Sequence, residues 1–170
     1  MKATPPEELF PVVDEEGNQI GTAPRSVCHD GKSKLLHPVI HLHLFNRKGE
    51  LFLQKRSIAK DLLPGYWDSS VGGHISPGEN TVEALLRETR EELGLIDFSY
   101  EFIRKYIWES PRERELVYSF RGVTDKTPVI NTDEIEEGRF WNKQELSENL
   151  GKGIFTPNLE YELRMLIIID

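Results

Sequence analysis

Cysteine is scarce in this sequence: Cys28 is the only one among 170 residues. One thiol cannot form a disulfide within the chain, so we expect the fold to depend on its hydrophobic core and the protein to be cytoplasmic. Long apolar runs are also lacking, since the longest, at residues 165–169, is far too short to span a bilayer. The first nine residues lack the basic and apolar regions of a signal peptide. We therefore expect no membrane partner.

Positive charge is also in short supply. The chain carries 21 Lys and Arg against 29 Asp and Glu, which gives a formal net charge of -8. Such a balance argues against binding a nucleic-acid backbone through a basic face. Small phosphorylated molecules remain as expected partners, and an acidic protein needs metal ions to handle them. The length fits a single domain over residues 1–170.

Strand and helix signals alternate along the chain and predict one α/β unit with a mixed sheet, including short strands within residues 8–24. In the segment 39–45, aliphatic side chains fall on one face and His41 and His43 on the other. We expect this segment to form a hairpin with 51–54. The other predicted elements are strands at 10–13, 19–22, 67–71, 98–108, 116–121 and 138–141, a turn at Gly72 and Gly73, and a last helix from Thr156 and Pro157.

The segment 81–93 is the best defined helix of the sequence. Asn80 or Thr81 is suited to cap its start, Glu83 completes a capping box with Asn80, and Gly94 suits the left-handed residue past its end. Helical spacing predicts a buried face and a face turned to solvent or a cleft. The buried face comprises Val82, Leu85, Leu86, Thr89 and Leu93, and the other comprises Arg87, Glu88, Glu91 and Glu92.

Three carboxylates crowd the polar face of this helix. Residues three and four apart lie about 5 to 6 Å from each other, so Glu88 faces both Glu91 and Glu92. Two like charges at roughly 5 Å repel by about 3 kcal/mol at an effective dielectric of about 20. Arg87 offsets only part of this charge, whereas a divalent hard cation would neutralise it. The alternative is an ordinary solvated helix with weak ion pairs.

The acidic helix belongs to a longer pattern of glycines and charges. The pattern is Gly73, five residues, Glu79, seven residues, Arg87 and Glu88, two residues, Glu91 and Glu92, one residue, and Gly94. It resembles the Nudix box, with a departure at Thr89, where the family has a bulky aliphatic residue. The resemblance implies the α/β/α sandwich of that family and a hydrolase that depends on Mg²⁺ or Mn²⁺.

The same resemblance assigns expected roles within the box. Glu88, Glu91 and Glu92 match the family's metal ligands, and the backbone carbonyl of Gly72 matches its usual extra ligand. Arg87 matches the residue that orients the glutamates through salt bridges, which its spacing to Glu91 also predicts.

Further candidates lie outside the helix. Glu79 matches a residue that the family uses either to fix the loop before the helix or as a group just outside the metal ligands. Nudix enzymes often take another carboxylate from a distant loop as ligand or general base, and we favour Glu134 for that role. Arg56 and Lys60 would offset an anionic substrate, and His74 would reach it. Each has an ordinary alternative, as a loop carboxylate, a solvated turn or a surface charge.

Several flanking segments carry a finer likeness: Asp14–Gly21, Arg25 with His29, Leu36 with His37, Leu53–Ser57 with Lys60, and Trp67–His74. Together they resemble the isopentenyl diphosphate isomerase-like branch of the Nudix superfamily. The isomerases bind a metal through histidines comparable to His29, His37 and His74. They also need a catalytic cysteine where this chain has Gly72, and Cys28 lies in a different segment. The missing thiol favours a hydrolase over an isomerase.

We therefore expect a metal-dependent hydrolase that cleaves the phosphoanhydride bond of a nucleoside diphosphate linked to another moiety, by attack of water on phosphorus. The alternatives are an isomerase-like activity and a non-catalytic Nudix-like ligand-binding domain. The sequence leaves open the substrate, the number of metal ions and any role for His29, His37 and His41. The family resemblance also allows a homodimer.

Overall fold

A computed structural model describes residues 7–167. The predictions made for the first nine residues and for the apolar run 165–169 therefore fall partly outside the described residues. The strands are β1 (Leu9–Val13), β2 (Gln19–Pro24), β3 (Leu36–Phe45), β4 (Leu51–Arg56), β5 (Trp67–Asp68), β6 (Val71–His74), β7 (Ser99–Glu109), β8 (Arg114–Val123) and β9 (Ile135–Trp141). The helices are α1 (Arg25–Cys28), α2 (Thr81–Leu93), α3 (Lys143–Asn149) and α4 (Pro157–Met165).

Seven of the nine strands between residues 7 and 167 form one mixed sheet, while β1 and β2 form a separate antiparallel ribbon. In the large sheet, β5, β4, β3, β8 and β7 lie in that order, β6 pairs with β3, and β9 pairs with β4. β3 and β8 run parallel, and the other pairs are antiparallel. The predicted α/β fold with a mixed sheet is confirmed.

The hairpin predicted between β3 and β4 is reduced to one paired position, Phe45 with Leu51. Beyond it the strands diverge, because β6 inserts beside β3 and β9 beside β4. β3 therefore lies at the centre of the sheet, and all ten of its residues are buried. As a consequence, the face of β3 that carries His41 and His43 is covered.

Helices cover both faces of the sheet. On one face, α2 packs Leu85 and Leu93 against Ile40, Leu42 and Leu44 of β3. On the other face, α3 and α4 pack against β4 and β9, and the residues of this second core are Phe45, Leu51, Leu53, Trp141, Leu146, Phe155, Leu159 and Leu163. This is the α/β/α sandwich that the family resemblance implies.

Helix α2 begins and ends as predicted. The Asn80 side chain accepts a hydrogen bond from the Glu83 backbone N–H in a complete capping box, and Gly94 is left-handed with φ of 63°. Its buried face was predicted wrongly at two positions: Leu86 is 40% exposed, whereas Glu92 is only 5% exposed. Glu92 follows Leu85 by seven residues, about two turns, so it lies on the stripe that faces the sheet.

The glycine pair was also predicted wrongly, since Gly72 and Gly73 lie within strand β6 and not in a turn. The short helices α1 and α3 were missed, because a helix of one or two turns gives little periodic signal. Helix α4 begins where predicted, with the Thr156 side chain accepting a hydrogen bond from the Leu159 N–H. Within residues 7–167, no helix is long and apolar enough to cross a membrane.

Candidate functional site

Strand β6 and helix α2 bring a glycine against a carboxylate. Gly73 pairs with Ile40 and faces α2, and a Cβ at this position would lie 2.3 Å from Cδ of Glu88. Only a glycine allows the Glu88 side chain to approach the strand this closely. The main chain of β6 and the Glu88 side chain are therefore held in contact.

Arg87 forms hydrogen bonds with three carboxylates of the Nudix box. Its Nε and Nη2 donate hydrogen bonds to the two carboxylate oxygens of Glu79, at 2.7 and 2.9 Å. Its Nη1 donates to Glu88 at 2.8 Å and to Glu91 at 3.3 Å, and Nη2 also donates to the backbone carbonyl of His74 at 3.0 Å. The Arg87 guanidinium lowers the pKa of Glu79, and Glu79 raises that of Arg87. Both therefore stay charged, as the orienting role predicted for Arg87 requires.

Glu92 is buried and forms a carboxyl pair with the partly buried Glu88. Burial raises the pKa of Glu88 above its usual value, and burial together with Glu88 raises the pKa of Glu92 well above it. The Nε2 of Gln54 donates to Glu92 at 2.6 Å and to the Ser70 carbonyl at 3.0 Å, which fixes Glu92 beside β4. Two carboxyl groups in such contact share a proton unless a cation takes its place.

Glu91 and Glu134 flank this pair. The Glu91 side chain is 52% exposed and turns toward Arg87. The loop before β9 is held to the end of α2 by the Asn131 N–H, which donates to the Glu92 carbonyl at 2.9 Å. Glu134 follows in that loop, and its negative charge adds, after burial and Glu88, to the raised pKa of Glu92. The predicted loop carboxylate is therefore close enough to Glu92 to act on it electrostatically.

A second group of candidate ligands lies at the end of β6. Ligand atoms of His29, His37, His74 and Glu113 all lie within 4.8 Å of one another, and they form the convergent metal-ligand group found among residues 7–167. Nε2 of each histidine and Oε2 of Glu113 are buried and make no well-aligned hydrogen bond in that part of the chain, although Oε2 lies 2.7 Å from Nε2 of His29 and 3.5 Å from Nε2 of His37. Buried polar atoms without well-aligned partners are costly, and a bound ion would coordinate all four.

The protonation states of this group differ from residue to residue. Burial opposes a charged His37, but Glu113 outweighs it and raises the pKa of His37 above its usual value, so a bound ion would replace a proton on that ring. Burial and the neighbouring His37 lower the pKa of His74 well below its usual value, so its imidazole is neutral and able to coordinate. Burial disfavours an ionised Glu113, but His29 and His37 outweigh it and hold the Glu113 pKa below its usual range. Neutral imidazoles and a carboxylate are ligands that zinc and other transition metals prefer.

The β1–β2 ribbon covers this second group. Phe10 of β1 is 1% exposed, and its ring stacks on that of His74 with centroids 4.0 Å apart and on that of His37 at 5.4 Å. The guanidinium carbon of Arg25 lies 5.7 Å from the centroid of the Phe10 ring. The histidine group is therefore sealed on the ribbon side by an aromatic ring.

Glu113 was missed in the sequence because no local pattern marks it. It directly precedes β8, whose parallel pairing with β3 places Glu115 beside His37. The available signal was weak: Glu113 and Glu115, two residues apart, fall on one face of a strand. The position of that strand beside the histidines is set by the tertiary structure.

The predicted substrate contacts lie in different surroundings. His74 directs its ring into the histidine group. Arg56 is partly buried and donates to the Leu62 carbonyl at 3.0 Å and to Asp68 at 3.3 Å, so it holds the loop that follows β4. Lys60 lies in that loop and is partly exposed. Arg56 ends β4 and Lys60 lies in the loop after it, whereas His74 belongs to the histidine group.

Known proteins share this combination of sequence and structure. A family profile of the NUDIX domain matches residues 35–159. An uncharacterized Nudix hydrolase of Pseudomonas aeruginosa, PA4841, is 30% identical over 160 residues, covering 94% of this chain and 94% of that protein. An isopentenyl-diphosphate Delta-isomerase of Streptomyces griseus is 32% identical over 154 residues, covering 87% of this chain and 78% of the isomerase.

Solved structures with a similar fold include proteins of the same family. DR0079 from Deinococcus radiodurans has a TM-score of 0.77 at 26% identity, covering 92% of this chain and 98% of that one. A MutT protein from Methanosarcina mazei has a TM-score of 0.61 at 22% identity over 73% of this chain and 86% of that one, which supports the fold alone. Homologues therefore include both a hydrolase and isomerases. With a matching profile over most of its length and these relatives, the chain belongs to the Nudix family.

Proposed function

We propose that the protein is a divalent-metal-dependent hydrolase that cleaves the phosphoanhydride bond of a nucleoside diphosphate linked to another moiety. The observation that carries this proposal is the carboxyl pair of Glu88, which is held against Gly73, and the buried Glu92, with raised pKa values for both groups. Perturbed carboxyl groups that cluster with an ordered arginine are typical of functional sites. The Nudix hydrolase among the relatives supports the same class of reaction.

The donor set of the box fits a hard cation. Glu88, Glu91, Glu92 and the carbonyl of Gly72 would hold Mg²⁺ or Mn²⁺ through oxygen atoms alone, as these ions prefer. When bound, the ion neutralises charge on the phosphate and lowers the pKa of a water molecule. Arg87 keeps the carboxylates oriented through its contacts with Glu88 and Glu91.

Other residues of the chain would handle the substrate and the proton. Glu134, in the loop held to the end of α2, would accept the proton of the attacking water. Arg56 and Lys60 would offset the negative charge of the diphosphate. Glu79 keeps the loop before α2 in place through Arg87 and through the Ser76 N–H, which donates to it at 3.1 Å.

A hydrolysis assay tests this proposal. The purified protein, with Mg²⁺ or Mn²⁺, is offered ADP-ribose, UDP-glucose, nucleoside triphosphates and isopentenyl diphosphate, and phosphate products are measured. We expect nucleotide conjugates to be cleaved, and Glu91→Gln to lower kcat by about 100-fold or more. Glu101→Gln, which changes an exposed carboxylate on β7, is the matched control and should keep the parent rate. Equal rates in the parent and in Glu91→Gln would show that the metal-site assignment is wrong.

An isomerase-like activity is the second candidate, and the histidine group favours it. His29, His37, His74 and Glu113 would hold a transition metal, and several relatives are isopentenyl-diphosphate isomerases. The residue at the position of the isomerase cysteine is Gly72, which has no side chain to move a proton. Conversion of isopentenyl diphosphate into dimethylallyl diphosphate without any hydrolysis would favour this candidate over the hydrolase.

We also propose that residues 1–170 work as a single cytoplasmic domain that acts on small phosphorylated molecules and binds neither nucleic acid nor membranes. The net charge of -8 and the continuous sandwich between residues 7 and 167 support this proposal. A homodimer is consistent with the family, and light scattering of the purified protein would measure the oligomeric state.

A further inference from the structure

Arg112 links the two chain segments that bring His29 and Glu113 into the histidine group. It directly precedes Glu113, and its Nε donates a hydrogen bond to the backbone carbonyl of His29 at 3.0 Å. In return, the Gly31 N–H donates to the Arg112 carbonyl at 3.0 Å. A residue next to one candidate ligand is therefore bonded to the backbone of another, although the two come from distant parts of the sequence.

The segment that carries Glu113 is a hydrogen-bonded turn between β7 and β8. The Ser110 hydroxyl oxygen accepts hydrogen bonds from the N–H groups of Arg112 and Glu113, each at 3.2 Å. The Ser110 N–H donates to the Glu113 carbonyl at 2.9 Å, and Nζ of Lys34 donates to the Ser110 carbonyl. The side chain of Arg112 therefore extends from a well fixed backbone.

The outer end of the Arg112 side chain contacts a third part of the protein. Its Nη2 donates to Oδ2 of Asp61 at 2.8 Å. Asp61 lies in the loop 57–65 between β4 and β5, directly after Lys60. The side chains of Arg112 and Asp61 are 43% and 78% exposed, and an ion pair so exposed is weak. Its population therefore depends on how well each partner is held in place.

The loop that carries Asp61 needs support from the rest of the protein. Leu63 adopts the left-handed conformation with φ of 48°, which costs free energy for a residue other than glycine. Arg56 supplies one support, because its Nε donates to the Leu62 carbonyl at 3.0 Å. Arg112 supplies another through Asp61, from the segment that also carries a candidate metal ligand.

We propose that Arg112 is a positioning residue that couples binding of a transition-metal ion by the histidine group to the position of the loop carrying Lys60. When His29 and Glu113 bind an ion, both segments that hold Arg112 are fixed, and its guanidinium retains Asp61 more fully. The loop is then held ready to contact a diphosphate through Lys60. This last step rests on the proposed function, whereas the coupling does not. By reciprocity, a ligand that holds the loop raises the affinity for the ion by the same factor.

Hydrogen exchange tests the coupling without any substrate. Exchange of the Lys60 and Gly65 amides, which donate hydrogen bonds at the two ends of the loop, is followed by NMR. The protein is measured free of transition metal and with one equivalent of Zn²⁺, in the presence of Mg²⁺. We expect Zn²⁺ to slow this exchange about 3-fold in the parent, a small factor because the ion pair is exposed. Asp61→Asn, which keeps the contact of Arg112 with His29, should show no slowing.

Two further variants serve as controls for the exchange measurement. Asp125→Asn removes an exposed ion pair with Arg47 on other loops and should respond to Zn²⁺ like the parent. His37→Asn removes a candidate ligand and should lose the response together with the bound ion, which metal analysis counts. Equal slowing in the parent and in Asp61→Asn would overturn the proposal. No slowing in the parent, or a parent that binds no Zn²⁺ through His37, would do the same.

Binding of a diphosphate analogue tests the link to the substrate. The Kd of methylenediphosphonate is measured by calorimetry in the presence of Mg²⁺, for the zinc-loaded protein and for the protein free of zinc. We expect zinc to lower this Kd about 3-fold in the parent and in Asp125→Asn, and to leave it unchanged in Asp61→Asn. An equal decrease in Asp61→Asn would overturn the role of Arg112, since the ion would then act on the ligand directly. No binding of the analogue, together with slowed exchange in the parent, would reject the substrate contact of Lys60 and keep the coupling.

Discussion

Gly73 and Glu88 are in such close contact that the Cβ missing from Gly73 would lie 2.3 Å from Cδ and 2.5 Å from Cγ of Glu88. The neighbouring Gly72 differs, because its missing Cβ would meet the edge of His41 at an ordinary 3.6 Å. Adjacent glycines of one strand therefore have different physical reasons to be glycine. The first keeps a carboxylate against the main chain, and the second leaves space open.

Gly73→Ala is expected to displace Glu88 and to lower the hydrolysis rate by about 100-fold, since a shift of about 1 Å in catalytic geometry has effects of this size. Gly72→Ala is the matched variant, and its melting temperature should stay within about 1 °C of the parent. Rates and melting temperatures of both variants are measured with Mg²⁺ present. Parental activity in Gly73→Ala would contradict the close contact.

Glu92→Gln is expected to raise stability and abolish activity. Burial and Glu88 raise the pKa of Glu92 well above its usual value, so an ionised Glu92 destabilises the metal-free protein at neutral pH. The amide keeps an acceptor for Gln54 and adds a donor for Glu88. We expect the metal-free variant to be more stable by about 1 kcal/mol, measured by urea unfolding, and its hydrolysis to fall by about 100-fold or more.

Magnesium provides the control for this prediction. Added Mg²⁺ should stabilise the parent, because an ion that binds only the folded state shifts the unfolding equilibrium. The same addition should have little effect on Glu92→Gln. A variant that is less stable than the parent without metal would show that an ionised Glu92 does not destabilise the metal-free protein.

Arg87 and Glu79 are expected to show strong energetic coupling. Their side chains are 27% and 15% exposed and joined by two hydrogen bonds. A double-mutant cycle with Arg87→Gln and Glu79→Gln should give a coupling of about 1 to 3 kcal/mol by urea unfolding. Arg47 and Asp125 form the control pair, with 79% and 55% exposure, and should couple by less than about 1 kcal/mol. Equal coupling energies in both pairs would show that partial burial does not strengthen the interaction of Arg87 with Glu79.

Removal of metal is expected to destabilise the histidine site. If Zn²⁺ or Mn²⁺ binds the four buried atoms, a strong chelator should lower the melting temperature, and an ion present at 100 times its Kd should stabilise by about 2.7 kcal/mol. His37→Asn should lose most of this response, and His43→Asn should keep it. Metal analysis of the purified parent and of both variants gives an independent measure of the number of ions bound per chain. An unchanged response in His37→Asn would mean that the ion binds elsewhere.

The His41 and Glu162 contact is expected to make stability depend on pH. Burial opposes a charged imidazole, but Glu162 outweighs it and raises the His41 pKa from 6.5 to about 9. A raised histidine pKa contributes stability that is complete below about pH 6.5 and is lost as the pH rises through 9. The pKa of Glu162 is lowered by His41 and His43 despite its burial, so its contribution is lost in acid.

The parent should therefore lose about 1 to 3 kcal/mol more than His41→Asn between pH 6 and pH 9, roughly what a shift of this size carries. Urea unfolding at both pH values measures the difference. Parallel pH profiles of stability for the parent and the variant would show that Glu162 does not keep His41 protonated.

Local signals in the sequence were sufficient for helix α2. Asn80, Glu83 and Gly94 act through hydrogen bonds and backbone conformations within a few residues, so its ends were predicted correctly. Its orientation was predicted less well, since Leu86 is exposed and Glu92 is buried. Periodicity identifies an apolar stripe, whereas the sheet that packs on the helix decides how far the stripe turns.

Local signals in the sequence did not predict which strands pair. The segments of β3 and β4 look like a hairpin because they are close in sequence, yet their pairing ends at Phe45 and Leu51. The insertion of β6 beside β3 is a long-range contact. It moves Gly72 and Gly73 from a predicted turn into a strand that touches both Glu88 and His41.

The sequence by itself determined the family, the mixed α/β fold and the acidic helix, because spacing along one helix and one loop is a local property. Only the tertiary structure decided that Glu113 completes a group with three histidines and that Glu162 holds His41. These contacts join residues far apart in the chain, across parallel strands and from α4 to β3. Their energies depend on burial, and burial is a property of the whole sandwich that no local pattern contains.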